Sequence, residues 1–177
     1  MLITCSSILL MLPACWSSGK QETKKEQSLY VLNVLDKDAY DDCRIAGSTN
    51  VPFQEVETFA KGLDRNAEIV VYCANYTCSA SGAAAQKLKA MGFQKVWAYE
   101  GGTAEWYQAG LKEANQYPVE GSCKATYLAA ANEKPVAMEE ELVPVISLAQ
   151  LREKMQQHGL LAPQGAAGQE EVPQAAA

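Results

Sequence analysis

Residues 70–81 have the sequence Val-Val-Tyr-Cys-Ala-Asn-Tyr-Thr-Cys-Ser-Ala-Ser and carry the strongest structural signal in the chain. The apolar run over 69–72 predicts a buried β-strand that ends at Cys73, and after a short polar loop an alanine-rich helix begins near Ser79. The loop amides and the first N–H groups of that helix have no partner inside the helix and are free to point at an anion. Their field favours the thiolate, which is the reactive form of cysteine. The pattern therefore predicts a chemically active thiol at Cys73.

Composition and charge narrow the class of protein. The 177 residues suffice for one domain with tails, and the apolar content of 48% is normal for a packed core. The formal net charge of −6 and the pI near 4.9 argue against a nucleic-acid partner, which would need a basic face. The globular part contains no run of about 18 apolar residues, so no membrane-spanning helix is predicted there.

The N-terminal segment differs from the rest of the chain. A mostly apolar run over 3–12 leads into Leu12-Pro13-Ala14-Cys15. This pattern resembles the signal peptide and cleavage box of bacterial lipoproteins, although no Lys or Arg precedes the apolar run. The resemblance implies a signal peptide over 1–14, lipidation of Cys15, and an exported protein anchored to the membrane through lipid, facing the periplasm or the cell surface. The alternative is an N-terminus that is not cleaved.

The middle of the chain is predicted to be one α/β domain. Residues 15–27 are polar with mixed charge, which is typical of a solvated tether, and an ordered domain is expected over 28–118. Predicted strands cover 29–34, 69–72 and 96–99, with a turn and a short strand within 45–52, and predicted helices cover 36–42, 54–61, 79–91 and 103–108. Strands that alternate with helices favour a largely parallel sheet.

Composition changes after Pro118. We expect a C-terminal extension over 119–162, in which Ser147 and Gln150 form a capping-box signature for one helix that runs to about His158. His158 is interpreted as a solvated residue at the helix end, not as a ligand or base. The Ala/Gly/Gln-rich tail over 163–177 is predicted to be disordered.

Three blocks of sequence occur in a known order and at a known spacing. The first block is Asn33-Val34-Leu35, followed by Tyr40 and by residues 43–52 (Cys-Arg-Ile-Ala-Gly-Ser-Thr-Asn-Val-Pro). The second is Val70-Val71-Tyr72-Cys73, followed by Ser79 and the alanine-rich helix. The third is Tyr99-Glu100-Gly101-Gly102, followed by Trp106. From 29 to 111 the chain resembles a single rhodanese-like domain, the fold of sulfurtransferases. The resemblance implies a rhodanese-like, parallel-sheet, three-layer α/β/α domain, here with an extra C-terminal helix.

The sequence departs from this family pattern at the positions that usually bind the substrate and surround the active cysteine. The usual active loop runs from the cysteine through four residues to an arginine, and here that last position is Cys78. The strand-end Asp of the pattern is Asn33, its Arg is Leu35, and the His of its second block is Arg44. The loop therefore has two thiols and no charged side chain.

The resemblance implies the chemistry of Cys73. In this family the active cysteine accepts a sulfane sulfur as a persulfide and passes it to a thiol acceptor, and no cofactor is needed. The residues expected to form an anion cradle around that sulfur are Ala74, Asn75, Tyr76, Thr77, Cys78 and Ser79. Because thiosulfate is a dianion and the loop has no Lys or Arg, we expect poor activity with thiosulfate and a persulfide or polysulfide donor instead. The alternative is that Cys73 is a buried structural cysteine.

Two interpretations of Cys78 stay open. It either resolves a persulfide on Cys73 by forming a disulfide, or it packs under the loop. Arg44 either supplies the cation that the loop lacks or is an ordinary surface arginine. Cys43 and Cys123 are expected as further thiols, and without a paired C-x-x-C motif no metal site is predicted.

Other function classes remain as alternatives. One is an exported thiol-redox protein whose working unit is the Cys73/Cys78 pair, and another is a non-catalytic interaction module tethered to a membrane. A phosphatase is rejected, because it needs an arginine at the loop end and no arginine lies between Arg65 and Arg152.

Overall fold

The computed structural model describes residues 29–113, 116–134 and 143–162. The signal peptide, Cys15 and the tether predicted for 1–27, the part of the extension at 135–142, and the tail predicted for 163–177 lie outside the described residues. The strands are β1 (Leu29–Asn33), β2 (Cys43–Ile45), β3 (Thr49–Asn50), β4 (Glu68–Tyr72), β5 (Val96–Tyr99) and β6 (Val119–Gly121). The helices are α1 (Lys37–Asp42), α2 (Val56–Ala60), α3 (Ala80–Ala90), α4 (Gly102–Lys112) and α5 (Leu148–Gln157), with 3-10 helices at Phe53–Glu55 and Thr126–Leu128.

The main sheet has four strands in the order β3-β1-β4-β5, and every neighbouring pair is parallel. Strand β4 lies in the centre and buries Ile69, Val70, Val71 and Tyr72 completely, since a parallel sheet in this class is covered on both faces. The continuous apolar sequence of β4 is typical of a strand at the centre of a parallel sheet. The carboxyl end of β4, where Cys73 follows, is therefore fixed by packing from both sides.

Helices cover both faces of the sheet and make a three-layer α/β/α domain. On one face Val71 packs in a cluster with Val56 of α2 and Leu88 of α3. On the other face Val70 packs in a cluster with Trp106 of α4 and Leu151 of α5. Consecutive strand residues thus feed two separate clusters, as the two-residue period of a strand requires. Because α5 shares the second cluster, the part of the C-terminal extension that it forms is packed on the domain.

Local sequence signals place most elements correctly. Asp36 caps α1 by accepting from the Ala39 amide, and the capping box of Ser147 and Gln150 starts α5. The helix predicted over 54–61 is a 3-10 turn followed by α2, and α4 extends beyond its predicted end at 108. His158 lies at the C-cap of α5, as predicted, and is partly buried, with its Nε2 3.8 Å from the Glu68 carboxylate. Over the described ranges, the structure has no helix long and apolar enough to cross a bilayer.

A second, two-stranded sheet joins β2 to β6 in antiparallel pairing, and neither strand is predicted from the sequence. At its end Cys43 and Cys123 form a disulfide across 80 residues of sequence, with Cα atoms 4.5 Å apart. The expectation that these cysteines are further thiols is wrong. Their pairing depends on the register of β2 with β6, in which Cys43 faces Gly121, and two short strands so far apart leave no periodic pattern.

Removal of the Cys43–Cys123 disulfide will lower stability. We expect the double variant C43A/C123A to lose about 2–4 kcal/mol of unfolding free energy, because the unfolded chain gains the freedom of a long open loop. Urea unfolding of the two proteins measures the difference. The double variant C73A/C78A, which keeps the disulfide, is the control and should lose less. Equal stability of C43A/C123A and the unaltered protein would show that the bond does not constrain the fold.

Candidate active site

The loop that follows β4 begins against the N-terminus of α4. The amides of Thr103 and Ala104 donate to the carbonyl oxygens of Cys73 and Ala74 at 3.0 and 2.9 Å. The first N–H groups of a helix lack partners within it, so they are available for such contacts. They therefore hold the backbone of Cys73, and not its sulfur, in place.

This contact is possible because residue 102 is a glycine. Gly102 has φ +62°, and a Cβ built there would lie 2.5 Å from the carbonyl carbon of Ala74 and 2.6 Å from the oxygen of Cys73. The Gly-Gly turn before α4 thus lets two backbone segments touch.

Bonds already made around the loop occupy several of its amides. The N–H of Cys78 donates to the Asn75 carbonyl at 3.1 Å, and the N–H of Thr77 donates to Asn75 Oδ1 at 3.2 Å. The N–H of Tyr76 donates to Oδ1 of Asn132, a residue distant in sequence, at 3.1 Å. The predicted cradle of free amides over 74–79 is therefore wrong for these three residues, whose hydrogens already have acceptors.

The two thiols of the loop lie together at its base. Among the described residues, Cys73 and Cys78 are the free cysteines. Cys73 has no exposed surface, and its Sγ donates to the Cys78 carbonyl at 3.1 Å and approaches Ser81 Oγ at 3.4 Å. The interaction with the Cys78 side chain and the burial of the group both raise the pKa of the Cys73 thiol. Cys73 is buried in this arrangement, which contradicts the prediction that its thiol is accessible.

Cys78 is the thiol whose pKa is lowered. The neighbouring Cys73 side chain is the largest cause, with further help from the backbone N–H groups of Ala80 and Ala74. The amide of Ala80 belongs to the N-terminus of α3, so the helix-end field expected from the sequence is present but acts on Cys78. Cys78 is also partly exposed, whereas Cys73 is buried.

The surroundings of the loop are acidic on balance. The Tyr76 hydroxyl donates to Glu105 Oε1 at 2.9 Å, and burial together with Glu105 and Glu100 raises the pKa of Tyr76. Tyr76, Glu100, Glu105 and Lys134 all line a cavity of about 470 Å³ that continues to the start of α5. The cavity beside Tyr76 is therefore lined by two carboxylates and one lysine.

Arg44 makes its contacts away from the loop. It lies on β2 directly opposite Glu120 of β6, its Nη2 is 2.7 Å from the Glu120 carboxylate, and its guanidinium stacks on the ring of Tyr40. These contacts hold it in the small sheet, so the structure gives no support to its predicted role as the missing cation. The sequence did not reveal β6, and hence did not reveal this partner.

Two residues near the loop come from the C-terminal extension and were not predicted as site residues. Tyr127 is half-buried, and burial raises its pKa, with smaller contributions from Asp42 and the neighbouring cysteines. Asn132 bonds the Tyr76 amide and also donates from Nδ2 to the Gly101 carbonyl at 3.0 Å. No local pattern marks them, because their position depends on the path of the chain after the disulfide.

The sequence signature of the rhodanese-like domain matches residues 17–109, just over half of the 177-residue chain. The chain belongs to the rhodanese-like family. This confirms the predicted family and fold class, and the site described above occupies the strand-to-helix junction that the family pattern marks.

Relatives of known name share this part of the chain. It is 33% identical over 87 residues to YrkF of Bacillus subtilis, described as a candidate sulfur carrier protein; the match covers 49% of this chain and 46% of YrkF, so the chain spans less than half of that relative. It is 30% identical over 82 residues to the thiosulfate sulfurtransferase GlpE of Pseudomonas fluorescens strain Pf-5, covering 46% of this chain and 73% of GlpE. The crystal structure of BH2092 from Bacillus halodurans aligns with a TM-score of 0.49 and 28% identity over 57% of this chain and 71% of that one.

Substitution of Gly102 by alanine tests how the loop of this rhodanese-like domain is held. We expect G102A to lose about 1–3 kcal/mol of unfolding free energy, because alanine is strained at positive φ and its Cβ meets the backbone of Cys73 and Ala74. Chemical denaturation measures the loss. The matched control is G82A, in helix α3 with nothing within 4 Å of its Cβ, which should gain about 0.5–1 kcal/mol. Equal effects of the two substitutions would contradict this account of the Gly-Gly turn.

Proposed function

We propose that this protein is a rhodanese-type sulfur-transfer enzyme whose catalytic unit is the thiol pair Cys73 and Cys78. The observation that carries the proposal is the presence of two free thiols together at the strand-to-helix junction, one buried and in contact with the backbone of the other, which is partly exposed. Membership of the rhodanese-like family and the names of the relatives support sulfur transfer as the class of reaction.

The first step loads sulfur on the protein. The Cys78 thiolate attacks the outer sulfur of a persulfide donor, the S–S bond of the donor breaks, and the donor leaves as its thiolate. Cys78 then carries the sulfur as a persulfide. A thiolate acceptor attacks that outer sulfur in turn, takes it as a new persulfide, and restores the Cys78 thiolate.

Cys73 has a supporting part in this scheme. Its side chain lowers the pKa of Cys78 and so favours the ionised nucleophile at neutral pH. The family resemblance instead implies that Cys73 itself carries the persulfide, and its complete burial argues against it as the point of entry. A persulfide on Cys78 and a persulfide on Cys73 would form by the same chemistry. The two assignments differ in which cysteine variant abolishes sulfur loading.

A persulfide donor of low charge fits the site better than thiosulfate does. The loop has no cationic side chain, several of its amides are occupied, and Glu100 and Glu105 lie beside it. The relative GlpE is named a thiosulfate sulfurtransferase, so this chain is proposed to differ from it in donor.

A thiol-redox function is the second candidate, because the same pair can close on itself. If Cys73 attacks the inner sulfur of the Cys78 persulfide, a Cys73–Cys78 disulfide forms and hydrogen sulfide leaves, so that two thiols are oxidised as the sulfane sulfur is reduced. External thiols would then reduce the disulfide and complete a cycle.

We also propose that the protein is exported and anchored through a lipid on Cys15. The Cys43–Cys123 disulfide supports export, since structural disulfides persist in oxidising compartments. The lipoprotein-like segment before Cys15 supports the anchor.

Intact-mass measurement after incubation with glutathione persulfide tests the proposed reaction. We expect the unaltered protein to gain the mass of one sulfur atom and to lose it on addition of a thiol. C78S should gain none. C73A should load more slowly at neutral pH, because the side chain that lowers the pKa of Cys78 is gone.

Other results would change the assignment. No gain of sulfur by the unaltered protein from any persulfide would refute sulfur transfer. Loading of C78S together with none in C73A would place the persulfide on Cys73. Formation of a Cys73–Cys78 disulfide and release of sulfide, without transfer to a thiol, would favour the redox function.

A further inference from the structure

Residues 119–134, here called the strap, run from the small sheet across the active site. The strap begins as β6, which pairs with β2, and continues through the 3-10 helix Thr126–Leu128 to Asn132. It lies beyond the part of the chain that the family signature matches. Its contacts with the loop are thus a property of this chain and not of the shared domain.

The start of the strap is fixed in two ways. The Cys43–Cys123 disulfide ties it covalently to β2. Next to the disulfide the Asp42 carboxylate accepts the Ala125 amide at 2.9 Å, the Lys124 amide at 3.1 Å and the Ser122 hydroxyl at 2.7 Å. With the disulfide, these bonds set the direction in which the strap leaves the small sheet.

The later part of the strap is held on α4. The Gln108 side-chain amide donates to the carbonyls of Leu128 and Ala130 at 2.9 and 2.8 Å. Asn132 therefore arrives at the loop on a backbone anchored before and behind Tyr127.

Asn132 uses both ends of its side-chain amide at the active loop. Its Oδ1 accepts the Tyr76 amide at 3.1 Å and its Nδ2 donates to the Gly101 carbonyl at 3.0 Å. The Tyr76 N–H lies in the middle of the loop between the two cysteines, and it is withheld from any bound anion. The pair of bonds also joins the loop to the turn that begins α4.

We propose that Asn132 is a specificity-determining residue, which disfavours dianionic sulfur donors by occupying the Tyr76 amide. This rests on the proposed sulfur-transfer function. When a thiolate attacks the outer sulfur of thiosulfate, the S–S bond breaks and sulfite leaves with two negative charges. A loop N–H is the kind of donor that stabilises such a leaving group. Here the Tyr76 N–H is already bonded to Asn132 Oδ1, so it is not free to do so. A persulfide donor leaves with one charge and depends less on that N–H.

The test compares loading rates of the full chain with two donors, sodium thiosulfate and glutathione persulfide, measured by intact mass. In N132A the Tyr76 N–H is free, and the ratio of the thiosulfate rate to the persulfide rate should rise about tenfold, the effect of one hydrogen bond to a charged group. If Asn132 only supports the fold, both rates will fall together and the ratio will not change, which would overturn the proposal.

Two further variants distinguish the effect of freeing the Tyr76 amide from other effects of the Asn132 substitution. N132D keeps an acceptor for the Tyr76 amide and loses the donor to Gly101, so its ratio should stay as low as in the unaltered protein. Q108A loosens the strap that carries Asn132 without touching the loop, so its ratio should rise by less than in N132A. A rise in N132D equal to that in N132A would contradict the role given to the Tyr76 amide.

A binding measurement that needs no sulfur transfer tests the role of Asn132 separately from the proposed function. In NMR titrations with sodium thiosulfate, the Tyr76 amide signal of N132A should shift and that of the unaltered protein should not. A shift with no sulfur loading by any variant would refute sulfur transfer and leave the amide assignment standing. Loading without a shift in N132A would refute the specificity role alone.

Discussion

The pairing of Cys73 with Cys78 is the interaction on which the proposed chemistry of this protein depends. It combines a buried thiol of raised pKa with a partly exposed thiol of lowered pKa. Packing creates the difference, since β4 lies in the centre of the sheet and carries Cys73 into the core, whereas Cys78 stands at the start of α3. The amides of Ala74 and Ala80 then stabilise the charge on Cys78. The loop thus contains its own nucleophile and the donor that maintains it, without help from a basic side chain.

The replacement of the usual loop arginine by Cys78 changes what a rhodanese-like fold can accept. An arginine at that position would offer charge and several donors to an anion. Here the position supplies the anion itself, and the loop amides of Tyr76, Thr77 and Cys78 are already bonded. Glu105 lies behind Tyr76 and adds negative charge. In the proposed function, these features direct the loop of this chain to a donor of low charge.

The sequence predicts the domain well because its signals are local. The apolar run of β4 and the caps of α1 and α5 act within a few residues, and the family pattern adds the order of the strands. The position of the thiol pair follows from the same pattern. Which of the two thiols ionises does not, because that depends on how deeply each is buried. The disulfide, the Glu120 partner of Arg44, and Asn132 at the loop all depend on β6 pairing with β2, a contact between short segments far apart in sequence.

Ultraviolet absorbance of the thiolate as a function of pH tests the central claim most directly. The spectrum of the double variant C73S/C78S, subtracted at each pH, removes the contribution of the tyrosines. One thiolate should appear as the pH rises through about 5, the lowered pKa of Cys78, and the second only at strongly alkaline pH. In C73A the midpoint should move up, since the largest cause of the low pKa is gone. A midpoint near about 8.5, as for an ordinary cysteine, or a midpoint unchanged in C73A would contradict the account.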